Sequence, residues 1–278
     1  MSQKNHTQKI WLITGASRGF GKIWATAALE RGDKVAATAR RLSTLDDLKQ
    51  TYGDLLLPLQ LDVTDREAVF ATVKQAQQHF GRLDVVLSNA GFGYMAAIEE
   101  AEMADTKTMF ETNVFGTLSV IQAALPILRA QGSGHILPVS SVAGQISMPT
   151  SGVYSAAKFA VEGLAEALSA EVKQFGINVT IIEPGGYATN FLDGSSLKTA
   201  PAIADYDPLR AELAAMLTED SLGVPEASAT AILKVVDSQN PPLRLILGDL
   251  LPFVKQIYSQ RLETWDAWDD VARAAKGK

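Results

Sequence analysis

The feature that most constrains the fold is the alternation of short apolar runs with stretches of helical length. The runs Lys9–Thr14, Leu55–Leu61 and His135–Val139 lack a regular apolar–polar alternation, and a predicted helix follows each of them. Continuous apolar strands are typical of parallel sheets that helices cover on both faces. The chain is therefore predicted to be an α/β protein, a doubly wound parallel sheet of about seven strands in one domain, residues 1–278.

The regular alternation weakens in the last third of the chain. Residues 186–224 are rich in Gly, Ser, Ala and Pro, and loops this long in a compact domain are usually functional or disordered. We interpret them as a substrate-binding loop or lid. Residues 249–278 are predicted to form a C-terminal helical extension, in which Trp265 and Trp268 lie on one face. This tail is expected to cover either the substrate pocket or a subunit edge.

Composition argues against several classes of function. A formal charge of −6 and a pI near 5.2 disfavour a nucleic-acid-binding surface. The absence of cysteine removes disulfides, thiolate nucleophiles and zinc–thiolate sites. Residues 1–8 are polar, and the longest apolar stretch, Val114–Leu128, is interrupted by Gln122 and Pro126. We therefore expect a soluble, cytoplasmic protein with no metal, membrane or nucleic-acid partner.

Tyr154 and Lys158 form the pair with the clearest chemical use. They are four residues apart in a predicted helix and so share one face. A tyrosine hydroxyl titrates near pH 10, which is too high for proton transfer at neutral pH. At roughly 4 Å and an effective dielectric constant of about 20, a neighbouring ammonium stabilises the phenolate by at most about 4 kcal/mol. That is about three pKa units, so Lys158 is expected to lower the pKa of Tyr154 into a working range.

A glycine-rich turn, Thr14–Gly21, lies where the first predicted strand passes into the first helix. Glycines at such a junction permit a tight turn and let the backbone approach a pyrophosphate closely. The unpaired amides and the positive end of the helix dipole then face the anion. The turn therefore predicts a nucleotide-binding site.

Two other motifs overlap this turn. A Walker loop is excluded because Ala16 stands where its first glycine belongs and Ile23 replaces its Mg²⁺-binding Ser/Thr. Gly15–Gly19 formally matches the Gly-x-Ser-x-Gly nucleophile elbow of α/β-hydrolases. A hydrolase would also need an acid and a histidine at later strand ends, whereas only His79 and His135 follow the turn. This disfavours a hydrolase.

The end of the second predicted strand indicates which nicotinamide cofactor is bound. An acidic residue about twenty positions after the glycine turn would bind the ribose 2′-hydroxyl of NAD, whereas arginine accommodates the 2′-phosphate of NADP. The strand ends Ala39-Arg40-Arg41, with no acid, and Arg18 lies inside the turn. Guanidinium groups suit phosphate oxygens. We therefore predict NADP(H) as the cofactor, with Arg18 and Arg40 as selectors and Arg41 as a solvated charge.

These motifs, in this order, resemble those of the classical short-chain dehydrogenase/reductase family. The likeness extends from about residue 10 to residue 247 and implies a Rossmann-like fold. One departure is Ser88, where the family often has a second asparagine; we expect it to alter local hydrogen bonding of the sheet and not the chemistry. The residues that carry the resemblance are the Gly-x-x-x-Gly-x-Gly turn, Asn89-Ala90-Gly91, Asn113, Ser141, Tyr154, Lys158 and Pro184-Gly185.

The resemblance implies roles for four catalytic residues. Tyr154 would be the acid/base, and Lys158 would lower its pKa and bind the nicotinamide ribose. Ser141 would hydrogen-bond the substrate oxygen, with Ser140 one residue away as the alternative that the spacing disfavours. Asn113 would kink its helix and hold a water that leads protons to Lys158.

The resemblance also implies a set of cofactor contacts. Asp62 would bind the adenine amino group, although it could instead cap a helix, a role for which Thr64 or Asp65 is equally suited. Thr189 would bind the nicotinamide carboxamide. The full predicted set is Gly15, Ser17, Arg18, Gly19, Phe20, Gly21, Arg40, Asp62, Val63, Asn89, Ala90, Gly91, Tyr154, Lys158, Pro184, Gly185 and Thr189.

The substrate is expected to contact loops that follow the strands, and most of the residues there are apolar. We therefore predict a hydrophobic ketone or aldehyde that is reduced to its alcohol, or the reverse reaction, by hydride transfer. The predicted contacts are Phe92, Tyr94, Gln145, Ile146, Met148, Tyr187, Phe191 and Leu192.

Two other functions on the same fold are disfavoured. A catalytically silent NADP-binding sensor or scaffold would have a broken Asn/Ser/Tyr/Lys set, and all four residues are present. The chain is too short for the added domain of sugar-nucleotide epimerases and dehydratases of the extended type. A homo-oligomer, dimer or tetramer, is expected by resemblance because small residues of the Tyr154 helix allow close helix approach; internal packing would explain the same residues.

Overall fold

A computed structural model describes residues 7–189, 196–216 and 222–277. Its main sheet is parallel and has six strands in the order β3-β2-β1-β4-β6-β7. The predicted Rossmann-like α/β fold is confirmed. The strands are β1 Ile10–Ile13, β2 Lys34–Ala39, β3 Leu56–Gln60, β4 Val85–Ser88, β5 Gly93–Met95, β6 Gly134–Pro138, β7 Ile177–Val179, β8 Ile181–Pro184, β9 Leu197–Thr199 and β10 Arg244–Leu247.

The sheet continues past β7 because the chain is only briefly interrupted at Thr180. The Ser140 N–H donates to the Ile182 carbonyl at 2.8 Å, so β8 follows the end of β6, and β8 in turn pairs in parallel with β10. The sequence predicts a single strand at residues 179–182, and the structure divides it between β7 and β8. The Thr180 hydroxyl explains the interruption, since it donates to the Pro242 carbonyl at 2.7 Å and contacts buried His135.

Helices cover both faces of the sheet because successive strand residues point to opposite sides. The helices are α1 Gly19–Glu30, α2 Asp46–Tyr52, α3 Arg66–Phe80, α4 Met103–Phe110, α5 Thr117–Gln131, α6 Gly152–Val172, α7 Asp207–Met216, α8 Ser228–Val236, α9 Leu251–Ala267 and α10 Asp269–Ala274. In β1, Ile10 and Leu12 pack on one side with α3, α5 and α6, while Trp11 and Ile13 pack on the other with α1, α2 and α8.

A π-helical segment, Glu111–Gly116, joins α4 to α5 in one continuous helix, Met103–Gln131. By length and composition alone this helix could cross a membrane. Several of its apolar side chains, among them Val120 and Leu128, are instead buried against the sheet, and a mostly buried core helix passes the same test.

Sequence patterns missed one pair of strands. Strands β5 and β9 pair in parallel, with Tyr94 opposite Lys198. Each strand is three residues long, too short to show a period, and β9 lies in the stretch that the sequence suggests is loop. The predicted substrate residues Phe191 and Leu192 lie outside the described residues.

Candidate active site

The predicted functional residues gather at the carboxyl edge of the parallel sheet. Thr14 follows β1, Asn89 follows β4, Ser140 and Ser141 follow β6, and Pro184 ends β8. In open α/β sheets this edge is where ligands bind. The fold therefore brings residues that are far apart in the chain to one crevice.

Close backbone packing explains two of the glycines in the turn after β1. A Cβ atom at Gly15 would lie 2.9 Å from Ala90 Cα, and one at Gly21 would lie 2.3 Å from the Gly15 carbonyl oxygen. Asn89 fixes this arrangement, because its Nδ2 lies 3.1 Å from the carbonyl oxygens of both Thr14 and Gly15. A larger side chain at either glycine would separate the turn from the loop that follows β4.

Gly19 and the start of α1 form a cradle that suits an anion. Gly19 has φ +52, a conformation that favours glycine, and no described atom lies within 4 Å of a Cβ built there. Helix α1 begins at Gly19, and the N-cap residue Arg18 does not cap it with its side chain. The first-turn amides and the positive end of the helix dipole therefore lie beside the open space at Gly19. This arrangement fits the pyrophosphate of a dinucleotide.

The residues predicted to select and hold the rest of the cofactor lie near this turn in the fold. Arg40 follows β2 and is exposed, and its carbonyl accepts a hydrogen bond from Gln60. Asp62 follows β3 and is exposed, with its Oδ1 accepting from the Thr64 N–H at 3.0 Å. The cap of α3 is Asp65, whose side chain accepts from the Ala68 N–H. Helix capping therefore does not explain Asp62.

Helix α6 presents Tyr154 and Lys158 on one buried face. The Lys158 ammonium lies 5.6 Å from the centroid of the Tyr154 ring and donates to the Val139 carbonyl at 2.9 Å. Both side chains are almost fully buried. The predicted pair is thus held together at the end of β6.

Ser141 lies beside the tyrosine hydroxyl. Its Oγ accepts from the Ala143 N–H at 3.1 Å, donates toward the Pro184 carbonyl at 3.3 Å, and hydrogen-bonds to Tyr154. Ser140 points elsewhere: its Oγ is buried, 3.5 Å from the Lys158 carbonyl. Of the two adjacent serines, Ser141 is therefore the one that contacts Tyr154.

Burial controls the proton affinities of the pair. It raises the pKa of Tyr154 to about 12, and the hydrogen bond with Ser141 only partly opposes the rise. Burial also lowers the pKa of Lys158 to about 8, and the charge of Glu162 only partly opposes this fall. Burial therefore sets the direction of the tyrosine pKa in the chain by itself, because loss of hydration penalises the phenolate, and the expectation that Lys158 lowers this pKa stays a prediction. At neutral pH Tyr154 carries its proton.

Asn113 lies in the π-helical segment, and a π-bulge often marks a functional position. Its Oδ1 accepts from the Phe92 N–H at 3.0 Å and its Nδ2 donates to the Phe92 carbonyl at 2.8 Å. The side chain thus fixes the loop that follows Gly91. Ser88, the departure from the family pattern, donates to Thr117 Oγ1 at 3.2 Å and links β4 to α5.

The predicted substrate residues that the structure describes differ widely in exposure. Tyr94 is fully buried and its hydroxyl accepts from the Glu102 N–H. Ile146 is buried, Met148 is exposed, and Tyr187 packs edge-on against Phe20. Phe92 is partly buried, and the Gln145 amide is engaged by protein partners described below.

Comparison with known proteins places this geometry in a family. The family model described as short chain dehydrogenase matches residues 9–199. The chain belongs to the short-chain dehydrogenase family. Its members are oxidoreductases, and the nucleotide cradle and the tyrosine–lysine pair are the parts of this dehydrogenase that such chemistry needs.

Two curated relatives align along most of the chain. Oxidoreductase BOA17 of Botryotinia fuckeliana is 42% identical over 244 residues, which cover 86% of this chain and 89% of the relative. The 3-ketodihydrosphingosine reductase of Bacteroides thetaiotaomicron is 36% identical over 260 residues, which cover 92% of this chain and 93% of the relative.

Two solved structures are similar in fold. A short-chain dehydrogenase from Streptomyces avermitilis has a TM-score of 0.89 and 36% identity, covering 97% of this chain and 99% of that one. An alcohol dehydrogenase from Thermococcus sibiricus, complexed with 5-hydroxy-NADP, has a TM-score of 0.73 and 28% identity. The match covers 87% of this chain and 96% of that one.

A buried acidic pair, Glu162 and Glu183, lies beneath the active site of the dehydrogenase and was missed from the sequence. Arg244 Nε lies 3.0 Å from Glu162 Oε2 and 3.6 Å from Glu183 Oε1. Glu162 also hydrogen-bonds to the Ser140 hydroxyl, and the two carboxyl groups hydrogen-bond to each other. Burial, with the charge of Glu162, raises the pKa of Glu183 to about 8. The pair therefore shares one proton at neutral pH.

Two features of the sequence could have marked Glu162 and Glu183 as buried carboxylates, although not as partners of each other. Glu162 stands one helical turn beyond Lys158, in line with Tyr154 and Lys158 at intervals of four residues. Glu183 interrupts the apolar run of β8. A carboxylate inside a strand that is buried on both faces needs a partner.

The acidic pair makes stability depend on pH. The pKa of a glutamate in water is ordinarily 4.5, so between that value and about 8 the native state holds a proton that the unfolded chain has lost. The free energy of unfolding therefore falls as pH rises through this window. We expect Glu183→Gln, which is neutral at every pH, to reduce the loss of Tm between pH 5.5 and 8.5. For a domain of this size each kcal/mol corresponds to about 2–4 °C.

Thermal unfolding at several pH values measures this effect. Glu166→Gln is the matched control, because Glu166 is exposed on the same helix and pairs with the same Arg244. The control should keep the pH slope of the wild type. An unchanged slope in Glu183→Gln would show that the two buried carboxyls do not share a proton.

Proposed function

We propose that this protein is an NADP(H)-dependent carbonyl reductase that converts a hydrophobic ketone or aldehyde to its alcohol, or catalyses the reverse reaction. The observation that carries the proposal is the buried Tyr154 hydroxyl, hydrogen-bonded to Ser141 and flanked by Lys158, at the sheet edge that also forms the nucleotide cradle. A bound nicotinamide supplies or accepts the hydride. The protein must then orient a carbonyl and move one proton.

Tyr154 is suited to donate that proton in the direction of reduction. Its hydroxyl is protonated at neutral pH because burial raises its pKa to about 12. When the substrate oxygen gains electron density, the phenol gives up its proton and the nearby Lys158 ammonium stabilises the phenolate that forms. Ser141 Oγ hydrogen-bonds the same oxygen and orients the carbonyl. In the direction of oxidation, Tyr154 accepts the proton.

Arg18 and Arg40 support NADP(H) over NAD(H). Arg18 lies in the turn after β1 and Arg40 follows β2 directly, and no acidic residue stands at the end of β2 to bind a free 2′-hydroxyl. The complex of the Thermococcus alcohol dehydrogenase with 5-hydroxy-NADP is consistent with this choice. Asp62, Val63, Pro184, Gly185 and Thr189 would hold the adenine and nicotinamide ends.

The substrate class rests on apolar residues and on a relative. Ile146 and Met148 lie on the segment that follows Ser141, and Tyr187 follows β8. A relative named for the reduction of a 3-keto lipid supports a large, hydrophobic ketone. A catalytically silent sensor is the second candidate, disfavoured because Asn113, Ser141, Tyr154 and Lys158 are all present.

A cytoplasmic homo-oligomer is the proposed form of the enzyme. On α6, Ala157 is buried inside the protein, whereas Ala156, Phe159 and Gly163 are exposed on the opposite side. Phe115 of the π-helical segment is also exposed. These exposed small and aromatic residues support helix pairing between two copies.

Tyr154→Phe removes only the proposed proton donor. We expect kcat for ketone reduction to fall by about 10²–10⁴-fold, the usual contribution of general acid–base catalysis, while the Kd of NADPH changes less than about threefold. NADPH oxidation assays and fluorescence titration measure the two quantities. Tyr52→Phe, which makes the same change at the end of α2, should behave as the wild type. Retained turnover in Tyr154→Phe would mean that another group is the acid.

Arg40→Ala should weaken the use of NADPH selectively. Loss of one charge-assisted hydrogen bond costs about 1.5–3 kcal/mol, so the KM for NADPH should rise about 10–100-fold with little change for NADH. Arg41→Ala, the adjacent exposed arginine, is the control and should retain the wild-type preference. Equal or tighter use of NADH by the wild type would reject NADP(H) as the cofactor.

A further inference from the structure

The C-terminal helix α9 has two unlike halves. In the first half, Val254 is buried with Val142 and Ile146, and Ile257 packs against this cluster. Leu250, just before the helix, lies close to Gly185: a Cβ atom built on Gly185 would be 2.9 Å from Leu250 Cδ1. From Leu262 onward every described side chain is exposed. Only the first half of α9 is therefore attached to the active-site end of the sheet.

A polar relay fixes this first half through Gln145. The Tyr258 hydroxyl donates to Gln145 Oε1, and Arg261 Nη1 donates to the Gln145 carbonyl at 3.1 Å. Gln145 Nε2 in turn donates to Glu183 Oε1 at 3.0 Å. The guanidinium carbon of Arg261 also lies 5.1 Å from the centroid of the Tyr258 ring. Two side chains of one helix thus hold both the side chain and the main chain of one buried residue.

The relay reaches both contacts that orient Ser141. Ser141 Oγ is held by the Ala143 N–H and the Pro184 carbonyl. Gln145 lies two residues after the first contact, and Glu183 immediately precedes the second. A shift of α9 would therefore move the segment that follows Ser141, together with Ile146, which packs on α9.

We propose that Tyr258 and Arg261 are positioning residues that fix α9 as a wall of the substrate crevice and so set the length of hydrophobic ketone that the enzyme accepts. This inference rests on the proposed function. The relay determines the register of α9, because a shifted helix would leave Gln145 Oε1 and the Gln145 carbonyl without Tyr258 and Arg261. An apolar wall in a fixed register gives a long alkyl chain a defined surface, whereas a short ketone does not reach it.

The test uses NADPH oxidation with a series of methyl ketones from 2-butanone to 2-decanone. Tyr258→Phe removes one hydroxyl and keeps the ring, so the fold is preserved. We expect the KM for 2-decanone to rise about tenfold and that for 2-butanone less than twofold, with kcat within twofold of the wild type. Ser259→Ala is the control, because Ser259 Oγ bonds Glu263 on the exposed side of α9.

Hydrogen exchange of the α9 amides provides a second readout that needs no activity. Tyr258→Phe should exchange faster over residues 251–262, and Ser259→Ala should not. If the wild type reduces no ketone, the proposed function is overturned. The exchange rates of the α9 amides then still show whether the relay fixes α9. Two results for Tyr258→Phe overturn the proposal that α9 sets substrate length. One is unchanged exchange of the α9 amides. The other is faster exchange while KM depends on chain length as it does in the wild type.

Discussion

The hydrogen bond from Lys158 to the Val139 carbonyl is the interaction on which the arrangement of the site depends. It joins a helix to the end of a strand in the middle of the sheet, and it gives a buried ammonium one of the partners it requires. With α6 held there, Tyr154 lies beside Ser141, and Glu162 lies one turn deeper beside Glu183. This contact with the sheet edge thus helps to align Tyr154 with Ser141 and Glu162 with Glu183.

Burial of charge is the common theme of this region. Tyr154, Lys158, Glu162 and Glu183 are all withdrawn from water, and in each case burial favours the neutral form of the group. Arg244 supplies a fixed positive charge beneath the pair of carboxyls. The result is a set of buried groups in which the charge of Glu162 acts on both Lys158 and Glu183, so that a change in its protonation changes the pKa of its neighbours.

Much of this could be predicted from the sequence because the signals were local. Continuous apolar runs marked the parallel strands, and the four-residue spacing put Tyr154 and Lys158 on one face. The pKa of Tyr154 could not be predicted in the same way, because its direction depends on how completely the fold buries the phenol. The pairing of β5 with β9, and of Glu162 with Glu183, joins segments far apart in the chain, where no local pattern records the contact.

Gln145 shows how a residue predicted to contact the substrate can also hold the protein together. Its place after Ser141 predicted a substrate contact, and both ends of its amide bond protein partners, Glu183 and Tyr258. These bonds fix the segment that follows Ser141. The same reasoning applies to Asn113, whose amide oxygen and nitrogen each bond to the Phe92 backbone. At this site, amide side chains fix the loops, and in the proposed mechanism the hydroxyls of Ser141 and Tyr154 meet the substrate oxygen.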